Sequence, residues 1–255
     1  MKHARIAYSG RVHDATDAAG DMLRLEDGRT VSGADVVWLP PCRPQTIAAL
    51  GLNYSDHAKE LSFKAPAEPL VFLKGPNALI GHRGTSRCPA DAKQMHYECE
   101  LAAVIGKTAR NVRRDDAYDY VRGYTVANDY AIREYLENYY RPNLRAKNRD
   151  GLTAVGPWMV DAADIADPMN LPLRTTVNGK VVQQGNTKDM IFDIPAIIEY
   201  LTSFMTLYPG DLVLTGTPDG IVFLKRGDTV VTEIENIGCL ENKIVGDEEF
   251  QGAGK

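Results

Sequence analysis

Short apolar or alternating runs, separated by turn residues, make up most of the chain and predict a protein dominated by β-strands. The clearest runs lie at residues 6–8, 22–25, 36–39, 211–215 and 229–234. Between two further strand-like segments, the pair Asn178-Gly179 predicts a tight hairpin, because both residues tolerate the positive φ that a two-residue turn requires.

Helical signals are fewer. The strongest covers residues 193–205, where Asp193 can cap the helix, Pro195 lies in the first turn and apolar residues recur on one face. A second helix is predicted to open near Asp129, and a short third one to begin at Ser55. The pattern as a whole predicts a mixed, β-rich α+β fold with a few helices, rather than a doubly wound α/β fold.

A run of prolines at residues 40–44, Pro-Pro-Cys-Arg-Pro, interrupts every regular pattern in this part of the chain. We therefore predict a small N-terminal β element over residues 1–44. The main domain is predicted to cover residues 45–255.

Composition and charge narrow the class of protein. The 255 residues are 44% hydrophobic and 25% charged, as in an ordinary globular domain, and the net charge of −5 argues against a nucleic-acid partner. No apolar run approaches the length of a membrane span, and the N-terminus lacks the apolar core of a signal peptide. The four cysteines are scattered without a CxxC pair, which argues against zinc and against a disulfide framework. We expect a cytoplasmic protein without a membrane partner.

Two glutamates, Glu98 and Glu100, stand at the start of an apolar strand-like run. Residues two apart in a strand face the same way, so the two carboxylates are expected side by side. Asp129 follows a second strand-like run and supplies a third carboxylate. Taken alone, the glutamate pair also fits a solvated strand face; taken with Asp129, it indicates a hard divalent cation such as Mg²⁺ or Mn²⁺.

His57 and Glu60 lie one helical turn apart on the short helix predicted from Ser55. A carboxylate beside a histidine can fix its tautomer and raise its basicity, which would make His57 a general base. The alternative is an ordinary surface histidine with a glutamate nearby. Residues 51–54, which precede the helix, are typical of the entry to a lid.

A cationic and aromatic segment at residues 139–150 follows the third carboxylate and includes Arg141 and Arg145. Arginines bind carboxylates with two parallel hydrogen bonds, so the segment indicates an anionic substrate; the alternative is a solvated loop. A turn of small residues around Thr217 offers amides and a hydroxyl to a carboxylate, although this signal is weak on its own.

Five motifs in this order resemble the fumarylacetoacetate hydrolase family: GLNYSDH (51–57), EPLVFLK (68–74), HYECEL (96–101), NDYAIR (128–133) and LTGTP (214–218). The resemblance covers roughly residues 45 to 246. It implies a rolled mixed β-sheet, a homodimer, and Mg²⁺ or Mn²⁺ held by Glu98, Glu100 and Asp129. It also implies catalytic roles for His57, Glu60 and Lys147, and substrate contacts from the set Lys74, Arg133, Arg141, Arg145 and Thr217.

Residues 129–145 and 149–153 resemble one branch of this family, the C-terminal halves of bifunctional isomerase/decarboxylases of homoprotocatechuate (4-hydroxyphenylacetate) degradation. That branch implies action on 5-oxopent-3-ene-1,2,5-tricarboxylate and 2-hydroxyhepta-2,4-diene-1,7-dioate through a metal-bound dienolate. The chain would then be one half standing alone, assembled with itself or with a separate homologous N-terminal half.

Two other functions stay open. An acylpyruvate or fumarylacetoacetate type of C–C hydrolase, or an oxaloacetate decarboxylase, would share the metal and the dyad. Against hydrolysis, Leu136 stands where the hydrolases of the family usually carry a glutamine that helps to position water. A metal-stabilised binding module without turnover is the third possibility, and it would not need the His57–Glu60 pair.

Overall fold

A computed structural model of the chain describes residues 1–55, 66–136 and 143–252. Most of the regular structure is β. The strands up to residue 96 are β1 (Lys2–Tyr8), β2 (Arg11–Asp17), β3 (Met22–Leu25), β4 (Thr30–Ser32), β5 (Val37–Leu39), β6 (Ile47–Gly51), β7 (Leu70–Lys74), β8 (Leu79–Ile80), β9 (Thr85–Arg87) and β10 (Met95–His96). Those that follow are β11 (Cys99–Ile105), β12 (Val121–Asp129), β13 (Ala131–Ile132), β14 (Thr153–Val155), β15 (Met159–Asp161), β16 (Pro172–Val177), β17 (Lys180–Asn186), β18 (Leu212–Leu214), β19 (Phe223–Leu224), β20 (Thr229–Ile234) and β21 (Gly238–Val245).

The helices of the described residues are short. They are α1 (Leu144–Lys147), α2 (Ile194–Phe204) and α3 (Asp247–Gly252), with 3₁₀ turns at Pro76–Ala78, Arg114–Tyr120, Arg133–Tyr135, Ala162–Asp164 and Thr187–Asp189. None of these helices combines the length and the apolarity that crossing a membrane requires, within the part of the chain that is described. The predicted β-rich class with few helices is confirmed.

A mixed sheet forms the centre of the molecule, with its strands in the order β4-β3-β2-β1-β15-β12-β11-β18-β6-β7. β5 pairs with β1, and β14 bridges β12 and β8. Most neighbours are antiparallel, but β18 runs parallel to β6 and β14 runs parallel to β8. Two smaller sheets, β13-β10-β19 and β17-β16-β20-β21-β9, accompany it.

Strand β11 is buried along its whole length because both of its faces are covered. Leu101, Ala103 and Ile105 pack into the larger hydrophobic cluster. Ala102 and Val104 point the other way, into a smaller cluster of apolar side chains with Ile47, Ala49, Leu212 and Leu214. This alternation explains why the strand reads as a continuous apolar run in the sequence.

Strands β1 to β5 hold a core of their own, formed by Ala4, Ile6, Ala15, Leu23, Leu25, Val31 and Trp38. The indole of Trp38 meets His82 and Trp158 edge-on, with ring centroids 5.3 Å apart in both pairs. His82 in turn accepts a hydrogen bond at Nδ1 from the main-chain N–H of Glu241, at 3.1 Å. β1 also pairs with β15, so the N-terminal element continues the central sheet. Its separation as a domain over residues 1–44 stays a prediction.

Two local predictions are confirmed. β16 and β17 form the expected hairpin, and Asn178 and Gly179 at its tip have φ values of 50° and 79°. Helix α2 begins after Asp193, whose side chain accepts a hydrogen bond from the N–H of Ala196.

The helix predicted near Asp129 is wrong. Asp129 is the last residue of β12, and its N–H donates to the carbonyl oxygen of Glu98 at 3.0 Å. The next residues form β13, which pairs with β10, and then a single 3₁₀ turn. Sheet pairing on both sides of Asp129 outweighs the helix-like spacing of the apolar residues that follow it. Of the helix predicted from Ser55, only Ser55 itself lies within the described residues, and it is helical.

Candidate metal centre

Three carboxylates converge at one end of the central sheet. Glu98 precedes β11, Glu100 is its second residue and Asp129 ends the neighbouring β12. Each contributes a carboxylate oxygen, and these oxygens lie within 4.8 Å of one another. All three residues are buried, with Glu100 and Asp129 fully so. This cluster of oxygens has the spacing of ligands around one cation.

Strand register explains why the three side chains meet. Glu100 lies opposite Ala127 in the β11–β12 ladder, so Glu98 and Asp129 face each other two pairs further along. Side chains alternate between the faces of a sheet, and Glu98 and Glu100 share the face of Ala102. Asp129 shares the face of Ala127, which belongs to the same small cluster. The expectation that the glutamates point side by side is met, although Glu98 lies just outside the strand.

Two buried lysines accompany the carboxylates. The ammonium group of Lys147, in α1, donates to Glu98 at 2.6 Å and to Asp129 at 2.8 Å. The ammonium group of Lys74, at the end of β7, donates to Asp129 and to the carbonyl oxygens of Lys147 at 2.6 Å and Leu152 at 3.3 Å. Two cations thus bind two of the three carboxylates directly.

Glu100 is the carboxylate without a lysine contact among the described residues. One of its oxygens accepts the N–H of Gly216 at 2.6 Å. The other is buried and has no hydrogen-bond partner in the described part of the chain. Burial, with the nearby charges of Asp129 and Glu98, raises the pKa of Glu100 well above its ordinary value. A buried carboxylate oxygen without a donor is costly unless a cation meets it, so the donor set fits a hard divalent metal.

The two lysines respond differently to burial. Burial lowers the pKa of Lys147, but the attraction of Asp129 and Glu98 outweighs it, so the pKa is raised overall. The pKa of Lys74 is lowered, because complete burial and the neighbouring Lys147 outweigh its pairing with Asp129. Lys147 is therefore a firmly held cation, and Lys74 is the one from which a proton is more easily removed.

Some residues around the centre were not predicted from the sequence. The Asn128 side chain accepts the N–H of Glu98 at 2.9 Å and donates to Thr232, so it fixes the main chain of a ligand residue. His96 is fully buried, with Nδ1 3.6 Å from a Glu98 oxygen. Burial lowers the pKa of His96 to about 4, which keeps the ring neutral. The HYExE motif placed His96 beside the glutamates, but nothing in it shows that the ring turns inward.

Thr217 lies in the turn after β18 and is almost completely buried. Its hydroxyl oxygen accepts a hydrogen bond from the Gln183 amide at 3.0 Å, and the same amide donates to the carbonyl of Pro218 at 2.9 Å. Gly216, next to Thr217, contacts Glu100, so the turn lies beside the carboxylates. Gln183 could not be found from the sequence, because the pair Gln183-Gln184 does not reveal which of the two faces inward.

Within the described residues, the arginines predicted to bind the substrate form no ion pair with the three carboxylates. Arg145 is exposed, and its guanidinium lies over the Tyr135 ring at 4.0 Å, with Arg149 over the same ring at 5.4 Å. Arg133 is half-buried and has no side-chain hydrogen bond among the described residues. His57, Glu60 and Arg141 lie outside the described residues.

Sequence comparison gives relatives of known pathway. The chain is 59% identical over 203 residues to the 4-hydroxyphenylacetate degradation bifunctional isomerase/decarboxylase of Salmonella dublin. That match covers 80% of this chain and 47% of the relative, so the chain spans about half the length of the curated relatives of this kind.

Solved structures give a second comparison. The 5-carboxymethyl-2-hydroxymuconate delta-isomerase of Mycobacterium smegmatis is similar at a TM-score of 0.87 and 37% identity, over 97% of this chain and 99% of that one. Maleylpyruvate hydrolase of Sphingobium sp. SYK-6, in complex with manganese(II) and pyruvate, is similar at 0.82 and 28% identity, over 96% and 99%.

A family comparison covers most of the main domain. Residues 46–245 match the model of the fumarylacetoacetate (FAA) hydrolase C-terminal domain. That range contains the three carboxylates, both lysines and the Thr217 turn. The chain belongs to the fumarylacetoacetate hydrolase family.

Proposed function

We propose that this chain is a divalent-metal-dependent isomerase/decarboxylase of unsaturated 2-oxo and 2-hydroxy polycarboxylic acids in 4-hydroxyphenylacetate degradation. The observation that carries the proposal is the buried cluster of three carboxylates and two lysines, in a chain 59% identical to a bifunctional enzyme of that pathway. The substrates are those implied by the resemblance, 5-oxopent-3-ene-1,2,5-tricarboxylate and 2-hydroxyhepta-2,4-diene-1,7-dioate.

In this proposal Glu98, Glu100 and Asp129 hold Mg²⁺ or Mn²⁺; the manganese complex of a structural neighbour supports a cation of this class. A metal bound there supplies a Lewis acid for a carbonyl oxygen and an adjacent carboxylate. Both reactions require the protein to stabilise the same developing negative charge. Loss of CO₂, or removal of a proton from a carbon conjugated to the carbonyl, leaves an electron pair that must spread over a dienolate.

The lysines can stabilise this developing negative charge. The ammonium group of Lys147 lies between Glu98 and Asp129, where it can hold a carboxylate or support the developing enolate. The hydroxyl of Thr217 already accepts a hydrogen bond from Gln183, so its own proton is free to be donated to a substrate carboxylate. We assign proton transfer to His57, oriented by Glu60, and further substrate contacts to Lys74, Arg133, Arg141 and Arg145.

We also propose that the protein acts in the cytoplasm as a homodimer. The bifunctional relatives are about twice as long as the matched region. A separate, homologous N-terminal half is therefore a further candidate partner.

The test is a metal-dependent assay on both substrates, read by CO₂ release and by loss of the dienol absorbance. Protein stripped with a chelator should be inactive and should recover with Mg²⁺ or Mn²⁺. Glu98→Ala should reduce turnover by about a thousandfold or more, since it removes a ligand. Glu235→Gln, which alters an exposed glutamate remote from the cluster in sequence, is the matched control. Wild-type turnover by metal-free Glu98→Ala protein would refute the proposal.

C–C hydrolysis is the second candidate, because a maleylpyruvate hydrolase shares the fold at a TM-score of 0.82. The side chain at position 136 separates the two. Leu136 packs against the large hydrophobic cluster and has no group that could orient water. Incubation with acylpyruvates should therefore yield no carboxylic acid cleavage products, and efficient hydrolysis would favour the alternative.

A further inference from the structure

A cavity of about 690 Å³ lies between the N-terminal element and the main domain. Its walls come from β1, β2 and β3 on one side and from the β11 and β12 ends on the other. The linker at residues 41–43 closes it. The cavity thus spans the predicted boundary between the two parts of the chain.

Four arginines line this cavity: Arg5, Arg24, Arg43 and Arg122. Within the described residues, none of them forms an ion pair with a carboxylate. Arginine stays charged, and it lies close to another arginine only at an electrostatic cost. Burial, and to a smaller extent the nearby charge of Arg43, lowers the pKa of Arg5.

Arg5 is held in place by the linker. One of its terminal nitrogens donates to the carbonyl oxygens of Pro40 at 2.9 Å and Cys42 at 3.0 Å. A guanidinium group has five N–H donors in a planar fork, so this anchoring leaves donors for a ligand. A side chain fixed in this way loses little conformational entropy when it binds an anion.

Other charged groups face the cavity and partly offset the arginines. Asp14 lies opposite Arg5 in the β1–β2 register, and Glu26 follows Arg24 at the end of β3. His3 also lines the cavity, but its ring nitrogen is bonded to Asp161 at 2.9 Å. Four arginines against two carboxylates leave an excess of two positive charges among the residues that line the cavity.

The cavity is separate from the metal centre. Glu100 lies near the start of β11, whereas Val104 and Ile105 at its other end line the cavity. At ~3.3 Å per residue, the five residues from Glu100 to Ile105 span roughly 17 Å. The small hydrophobic cluster that contains Ala102 and Val104 lies between the two places.

We propose that this cavity binds a multivalent oxyanion, held by Arg43 and Arg122 together with the anchored Arg5. The ligand would join the N-terminal element to the main domain. The shared chemistry is two or more negatively charged oxygens, as in a di- or tricarboxylate or in a phosphate. The proposal does not depend on the enzymatic function, because its readout is binding to metal-free protein.

Isothermal titration calorimetry and thermal unfolding of the metal-free full chain test it. The probes are tricarballylate, succinate and inorganic phosphate, each compared with NaCl at equal ionic strength. At least one probe should bind saturably and raise the melting temperature above the NaCl control. Tighter binding of tricarballylate than of phosphate identifies a polycarboxylate site, and the reverse order identifies a phosphate site.

Arginine variants test whether the probes bind in this cavity. The double variant Arg43→Gln/Arg122→Gln should weaken it by tenfold or more, since charge-assisted hydrogen bonds are among the strong ones. Arg110→Gln alters an arginine that is exposed, as Arg43 and Arg122 are, but lies outside the lining; it is the matched control and should leave the binding unchanged. Glu100→Gln at the metal centre should also leave it unchanged.

Three results would overturn the proposal. One is that no probe binds beyond the NaCl control. Another is binding that survives the double variant, and the third is binding that the Glu100 variant alters as strongly as the arginine variants do. Circular dichroism of the double variant checks that it folds, and Arg43→Lys/Arg122→Lys, which keeps both charges, should retain part of the affinity.

Discussion

Replacing Glu100 by glutamine should stabilise the metal-free protein and at the same time remove its response to a divalent metal. Lys147 neutralises Glu98 and Asp129 by direct contact, and Lys74 adds a second contact to Asp129. When all of them are ionised, the three carboxylates and two ammonium groups leave one negative charge in excess, and Glu100 is the member without a lysine contact among the described residues. One of its oxygens is buried and has no partner within the described ranges, which marks where that charge is least compensated.

The size of the effect follows from the contacts. A glutamine at this position keeps an oxygen for the N–H of Gly216 and presents an amide to the neighbouring carboxylates, which lie within 4.8 Å. Repulsion between carboxylates is then replaced by a hydrogen bond to a charged acceptor, worth about 1.5–3 kcal/mol. For a chain of this size, the melting temperature should rise by roughly 3 to 10 °C.

The gain in stability from Glu100→Gln should depend on pH. Because burial and the neighbouring carboxylates raise the pKa of Glu100, the folded metal-free state binds its proton more tightly than the unfolded state does. The resulting destabilisation is absent below the ordinary carboxyl pKa of about 4.3 and grows as the pH rises toward the folded pKa. The advantage of Glu100→Gln should therefore be small near pH 4 and largest near pH 8.

Metal reverses the order of stability. At a thousand times the dissociation constant, Mg²⁺ or Mn²⁺ should stabilise the wild type by about 4.1 kcal/mol, more than the variant gains without metal, and leave Glu100→Gln almost unchanged. Denaturant unfolding measures the stability of the wild type and of Glu100→Gln, each with and without metal, at pH 4 and at pH 8. Glu235→Gln is the control. A metal-free variant that is less stable than the wild type at pH 8, or a variant that keeps the metal-induced shift, would contradict this prediction.

Three further outcomes are expected. Lys74→Met should destabilise the metal-free protein by about 3–5 kcal/mol in denaturant unfolding, because it leaves the buried Asp129 with less compensating charge; a change below 1 kcal/mol would contradict this. Gln183→Leu should raise the KM for the anionic substrate by roughly three- to tenfold with a smaller change in kcat, since it frees the Thr217 hydroxyl to rotate; equal losses in both would argue for a wider structural role. Burial and the adjacent arginine lower the pKa of His82 to about 4, so stability should fall by about 2 kcal/mol as the pH drops from 6.5 to 4. His82→Gln can accept the same main-chain N–H without titrating and should flatten that pH profile, which thermal unfolding measures.

Local signals allowed several elements to be predicted from the sequence. Asn178-Gly179 and the Asp193 cap act within a few residues of their own position, so the hairpin and α2 were found correctly. The run from Tyr130 to Leu136 was misread as helical, because its apolar spacing suits a helix. The pairing of β13 with β10, a strand 36 residues earlier in the chain, decides its structure and leaves no local trace.

The same limit applies to the site. The spacing of Glu98 and Glu100 indicates that they face one way, but their partners come from distant segments. Lys74 and Lys147 are 73 residues apart, and the sequence does not show that both ammonium groups enter the carboxylate cluster. Gln183 is likewise 34 residues from Thr217. These contacts depend on strand order in the sheet, which no short motif encodes.

Charge at the centre also sets the order in which ligands can bind. With Glu100 ionised, the cluster carries one net negative charge before a cation enters, so it repels a polycarboxylate substrate at short range. A divalent cation changes the sum to one positive charge, and the same groups then attract the substrate. Glu100, which supplies the excess negative charge, lowers the stability of the metal-free fold and creates the affinity for the cation. A buried carboxylate that lowers the stability of the fold, with one oxygen that has no hydrogen-bond partner among the described residues, is typical of a site kept for its chemistry. Lys147 and Lys74 reduce the cost enough for the protein to fold before the cation arrives.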